Sequence, residues 1–144
     1  MIVIDTTVLV YAVGEQHELA EPSRALVEAV GDGRVPATTT TEAIQEFVHV
    51  RSRHRSRSDA VRIGRYYAEL LSPLLAVERS ALEQGLALFE RIAELGAFDA
   101  VLAATALEAG ADGLVSADRA FASVPRLTFM ELGSQQLDAL IGES

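Results

Sequence analysis

The chain has 144 residues, 49% hydrophobic and 23% charged, which is enough for one hydrophobic core and gives no cause to divide it into two domains. It contains no Cys, so disulfides, thiolate metal ligands and Cys nucleophiles are excluded, and the composition suits a reducing cytoplasm. The formal charge of −9 argues against phosphate binding by the surface as a whole, and with neither a basic leader nor an apolar run near the ~20 residues of a membrane span, a soluble intracellular protein is expected.

Ile2, Val3 and Ile4 form a β-branched run that reads as a strand buried on both faces, ending at Asp5 and two hydroxyls, Thr6 and Thr7. In a parallel sheet, loops and helix amino termini converge at that end, so Asp5 stands where ligands collect. Residues 7–13 read as a buried helix capped by Asp5 or Thr6, and residues 14–21 as a polar loop with His17 solvated. Pro22 opens the next helix, with Ala25, Leu26, Ala29 and Val30 at helical spacing up to the stop Gly31-Asp32-Gly33. Residues 36–41 are Thr-rich and predict a short second strand turning into a helix cap. The helix over 41–53 carries Ala43, Ile44, Phe47, Val48 and Val50 as its apolar stripe; Glu46 falls on the border of that stripe, facing an enclosed cleft, and Glu42 further toward solvent.

Residues 51–65 depart from the acidic balance. Arg51, Arg53, Arg55, Arg57, Arg62 and Arg65 face a single acid, Asp59, and the run reads either as a phosphate-gripping face or as a solvated helix surface. A helix over 59–71 follows, ending before Ser72-Pro73, with one of Tyr66 and Tyr67 in the core. Residues 74–77 are a candidate third strand. A periodic helix over 80–95 carries Leu82, Leu86, Leu88, Phe89 and Ile92 and closes at Gly96; the next, over 97–109, is almost wholly small and apolar yet has Asp99 in its first turn. Residues 114–116 predict a fourth strand ending at Asp118, residues 127–132 a fifth, and residues 135–141 a short amphipathic tail helix. Strands alternating with helices imply a three-layer α/β/α fold on a short parallel sheet of four to five strands.

Asp5, Glu46, Asp99 and Asp118 occupy similar places, each just past a strand or early in a helix, and a parallel sheet brings all four to one edge. Taken singly, each reads as a cap or surface acid. Taken together, four carboxylates without a cation repel, so their convergence implies a divalent metal, and an all-oxygen donor set suits Mg2+ or Mn2+. The absence of Lys and of a Gly-rich phosphate loop excludes a P-loop NTPase and counts against phosphoryl-aspartate chemistry.

The opening Ile-Val-Ile-Asp-Thr-Thr, the Gln45-Glu46-Phe47 step, the run from Phe98-Asp99-Ala100 to Ala106, and Leu114 to Phe121 with Asp118 at its centre resemble, in order and separation, the successive motifs of PIN domains of the VapC type. The likeness covers nearly the whole chain, residues 1–144 as a single PIN domain. It implies a metal-dependent endoribonuclease, the toxin of a toxin–antitoxin pair, acting on structured RNA such as tRNA or rRNA, inhibited by a VapB-type antitoxin and forming a homodimer. Carried over by position, Asp5, Glu46, Asp99 and Asp118 would be the catalytic, metal-binding acids, with Thr6 and Ser116 as hydroxyls supporting the metal or its waters. Glu42, one turn from Glu46, is the alternative at that position. Arg51, Arg53, Arg55 and Arg57 would offset the acidity of the site by gripping RNA phosphates, with His54 part of that surface and His49 a rim residue. The competing reading is a PIN domain that binds RNA or antitoxin without cleaving.

Overall fold

The β-branched run at the amino terminus becomes β1 (Ile2–Ile4), buried throughout, in a computed structural model that describes residues 1–142 apart from Gln16. On one side β1 pairs with β2 (Ala37–Thr38) and on the other with β3 (Gly113–Ser116), beyond which lies β4 (Phe129–Glu131). All pairings are parallel; Ile2 stands opposite Ala37 and Gly113, and Ile4 opposite Val115. A sheet of this kind must be covered on both faces, and the two-residue repeat of the strands divides its side chains accordingly. Ile2, Ile4 and Val115 enter one core with Leu9, Leu26 and Tyr67, while Val3 and Leu114 enter a second with Ala100, Leu102 and Phe121.

The first core is covered by α1 (Thr6–Ala12), α2 (Ala20–Gly31), α3 (Thr41–Ser52), α4 (Arg57–Leu70) and α7 (Gln135–Gly142). The second is covered by α5 (Arg79–Arg91), α6 (Ala97–Glu108) and a 3-10 helix over Arg119–Ser123. Tyr67 is the core member of the tyrosine pair: its hydroxyl donates to the Leu9 carbonyl at 2.9 Å and its ring meets Phe47 edge-on at 5.0 Å, which ties α4 and α3 to α1. Tyr66 is exposed. No helix among the described residues is long and apolar enough to cross a membrane.

Four expectations change in detail. Residues 74–77 do not form a strand; Leu75 makes only an isolated parallel bridge to Thr40, because the neighbouring edge strand β2 is two residues long and offers almost no ladder to extend. The fourth helix begins at Arg57 rather than Asp59, since the Ser56 hydroxyl accepts the Asp59 amide at 3.0 Å and caps it there. His17 is exposed, yet its ring stacks on Tyr11 at 4.4 Å. The apolar stripe expected on α5 is divided: Leu88 is buried and Ile92 packs against the second core, but Leu82, Leu86 and Phe89 are 43%, 46% and 48% exposed, with Ala81 and Gly85 buried beside Leu88. The cause is a close helix crossing. A Cβ on Gly85 would stand 2.6 Å from the Cα of Val101, so α5 and α6 meet through small residues and the larger side chains are left outside.

Candidate active site

The strand order reverses between β1 and β3: the chain leaves β1 for β2 on one side, and β3 joins on the other, opening a crevice at the carboxyl edge. Asp5 is the first residue past β1, only 2% exposed, with its amide bonded to the Val115 carbonyl at 3.0 Å. By position and extended backbone it is the cap of α1, but its carboxylate does not cap the helix. It turns instead toward two hydroxyls. Ser116 Oγ donates to Asp5 Oδ2 at 2.6 Å and Thr7 Oγ1 donates to the same oxygen at 2.9 Å. Each hydroxyl also accepts a backbone amide, Asp118 N on Ser116 at 2.9 Å and Ala117 N on Thr7 at 3.2 Å. The loop carrying Asp118 is thereby bolted to Asp5. Burial pushes the Asp5 carboxyl above its usual range, and the two hydroxyls oppose that rise.

Glu46 faces the same crevice from α3, whose amino terminus is set by Thr40 accepting the Ala43 amide at 3.1 Å. Its pKa is raised, first by burial and then by the charge of Asp5, with the Thr6 hydroxyl and His49 acting the other way. Thr6 has one hydroxyl proton, which either goes to Glu46 or is donated to the Ala43 carbonyl at 3.3 Å, so it braces α3 rather than Asp5. Asp99, in the first turn of α6, is pushed up to about 7, chiefly by burial and then by Asp5, Asp118 and Glu46 in turn. Asp118 opens the 3-10 helix, its Oδ1 accepting the Ala120 amide at 2.9 Å. Asp5, Glu46, Asp99 and Asp118 therefore share one electrostatic neighbourhood, and no cationic side chain figures among the groups acting on Asp99. Glu42 is not one of those groups; its Oε1 is taken by the Thr41 hydroxyl at 2.7 Å.

This donor set is all oxygen, partly desolvated and mutually repelling, which fits a hard divalent cation. Among the described residues no three acids already stand at metal-chelating spacing.

The arginine segment divides by what each guanidinium touches. Arg51, 16% exposed, donates through Nε to Asp59 Oδ2 at 2.7 Å and through Nη1 to the Val13 carbonyl at 3.2 Å, clamping α3 to α4 and to the end of α1. Arg55 pairs with Glu15 at 2.7 Å on the open surface. Arg53 and Arg57 are exposed, and no ion pair holds either among the described residues. Thr7 was not singled out from the sequence. The available signal was its place two residues past a capping Asp, where the side chain of a cap residue ordinarily reaches.

A family model of the PIN domain matches residues 2–127. The chain is 49% identical over 144 residues to Ribonuclease VapC7 of Mycobacterium tuberculosis, covering 99% of each chain. Its fold is similar to that of a chain in the crystal structure of VapBC2 from Rickettsia felis bound to a DNA fragment from their promoter, with a TM-score of 0.71 and 15% identity, covering 91% of this chain and 98% of that one. A family match over most of the length, a near-full-length relative and a parallel sheet gathering acids at its reversal point lead to one assignment: the chain belongs to the PIN-domain family, in its VapC-type branch.

Proposed function

We propose that the chain is a divalent-metal-dependent endoribonuclease, the toxin of a VapBC-type pair, hydrolysing phosphodiester bonds of structured RNA such as tRNA or rRNA. The observation that carries this reading is the gathering of acids around Asp99: partly buried and near Asp5, Asp118 and Glu46, its carboxyl rises to about 7 with no cation of the chain in reply. A site of that character is costly to a fold unless a bound cation and an anionic substrate complete it.

When bound, Mg2+ or Mn2+ would supply Lewis acidity toward a phosphate oxygen and a water of lowered pKa. Asp5 would hold the ion, its rotamer fixed by the two hydroxyl donors on Oδ2. Asp99 and Asp118 would share the ion, Asp118 through the oxygen left over when Oδ1 accepts the Ala120 amide. Glu46, on α3 with a raised pKa, would take a proton from the attacking water. Ser116 and Thr7 keep Asp5 and the Asp118 loop in register. Arg53 and Arg57 would meet flanking phosphates, and unpaired RNA loops suit a shallow crevice better than a duplex groove does.

Two partners complete the reading. A VapB-type antitoxin would silence the site in the cytoplasm. A second copy of the chain would cover Leu82, Leu86 and Phe89 on α5, three large apolar side chains at helical spacing that the monomer leaves about half exposed.

The test is cleavage of structured RNA by the purified chain with Mg2+ or Mn2+. Wild type cuts, EDTA stops it, and Asp5→Asn loses activity by roughly 100-fold or more, since it removes the most enclosed ligand. Cleavage that persists in Asp5→Asn discards the assignment.

A further inference from the structure

A groove leads away from the acids between α1 and α3. Its upper part, about 230 Å³, is lined by Thr6, Thr7 and Glu46 at the site end and by Val10, Tyr11 and Val50 along its walls. Val10 and Val50 also line a second cleft of about 270 Å³, together with Phe47, Glu15, His54 and Arg55, so the two clefts adjoin at these valines. At 1.5 Å per residue, the length of α3 from Glu46 to its end is about 9 Å, roughly three stacked nucleotides at the ~3.4 Å per-strand spacing. Tyr11 on the wall is fixed in orientation by its stack against His17.

The far end of the groove holds two arginines of opposite character. Arg51 is spent on the fold, enclosed between Asp59 and the Val13 carbonyl. Arg55 instead makes an open ion pair: its Nη2 meets Glu15 Oε1 at 2.7 Å with the two side chains 42% and 80% exposed. Its Nη1 donates to the carbonyl of His54, the residue before it. A pair in open solvent is worth little and exchanges readily, and a phosphate is a stronger partner for a guanidinium than a solvated carboxylate on a loop.

We propose that this groove carries the single-stranded RNA segment flanking the cut, with bases against Val10 and Val50 and a phosphate on Arg55, and that Glu15 occupies Arg55 in the free protein as a stand-in anion displaced when RNA enters. The inference rests on the ribonuclease reading and goes beyond it by giving the substrate a path. Three features favour RNA over a polypeptide: the groove opens directly onto the acids at Glu46, its walls are apolar enough to receive bases, and its remote end is cationic in a chain of net charge −9.

The experiment measures binding of a fluorescent single-stranded RNA of about eight nucleotides by anisotropy, in EDTA to prevent cleavage, between about 50 and 200 mM salt. Glu15→Gln binds about threefold tighter, because the competing anion is gone. Arg55→Gln binds about tenfold weaker, and the slope of log affinity against log salt falls by about 0.7, as expected when one fewer phosphate of a single strand is neutralised. Val50→Asp, on a half-buried groove wall, weakens binding by about fivefold while circular dichroism and the melting midpoint confirm the fold. Wild-type cleavage with Mn2+ is recorded in parallel. If wild type cleaves while Glu15→Gln and Arg55→Gln bind as wild type does, the groove proposal is overturned, the ribonuclease reading stands, and the groove is left to a polypeptide. If wild type cleaves no RNA with any divalent metal, the reading itself falls and takes the groove with it.

Discussion

Two hydroxyls converging on one oxygen hold the Asp5 carboxylate rigidly, and only one of them was named as a site residue from the sequence. Ser116 was named through the resemblance to the PIN motifs, and its place at the end of β3 brings its hydroxyl onto Asp5. Thr6 and Thr7 are chemically identical neighbours, and which of them reaches Asp5 depends on the turn from strand into helix, which sequence alone leaves open. The arginines were equally alike on paper. Arg51 owes its enclosure to Asp59, eight residues on and across a helix break, a pairing that no local pattern announces. A substitution at Thr7 tests the positioning role directly. Thr7→Val removes a donor from a buried carboxylate and releases the Ala117 amide, so Mn2+ affinity measured by calorimetry falls about tenfold, and Thr7→Ser restores it. A purely structural Thr7 would lower the melting midpoint in both variants and leave metal affinity unchanged.

The elements were legible wherever periodicity met a clear boundary, and misleading where a helix had two apolar faces. The run from Ser80 onward has leucines at proper spacing, and hydrophobic spacing says that a face is covered without saying by what. The structure gives the inward face to Ala81, Gly85 and Leu88, since α6 is built of residues small enough for backbone-close packing, and the bulkier Leu82, Leu86 and Phe89 project outward. Residues 74–77 failed for a different reason: a short apolar run makes a strand only where a partner strand is long enough to receive it. The outward face of α5 carries a prediction of its own. If a second copy covers it, Leu86→Asp places a carboxylate at the middle of the apolar contact and converts the dimer to monomer in sedimentation, at about 1 kcal/mol or less of cost to the monomer because the site is exposed there. An unaltered mass for a soluble, folded Leu86→Asp rules that face out as the contact.

At the scale of the whole molecule, the acids oppose the fold that gathers them. The Asp99 carboxyl sits at about 7 in the folded chain and returns to an ordinary carboxylate value on unfolding, and Asp5 and Glu46 are raised in the same direction. Between roughly pH 4 and pH 7 the folded chain therefore binds more protons than the unfolded one, so stability falls as pH rises through that window and levels off above it. Asp59, held below the carboxylate range chiefly by its hydrogen bond from Arg51, has the opposite sign, but its contribution is lost only in acid, below this window. Metal-free protein should accordingly melt higher at pH 5 than at pH 7.5. Mn2+ should recover the difference at pH 7.5 and do little at pH 5, because the ion binds the ionised acids of the folded state. Asp99→Asn removes the most strained charge. With solvent screening of a partly exposed carboxylate allowed for, it should gain about 1 kcal/mol at neutral pH, or about 4 °C in melting midpoint, while cleavage is lost. The crossed outcome is the decisive one: a variant more stable without metal, less responsive to metal, and inactive. An Asp99→Asn protein that melts lower than wild type at pH 7.5 without metal would mean that the four acids are not repelling one another in solution, and the electrostatic basis of the site would have to be abandoned.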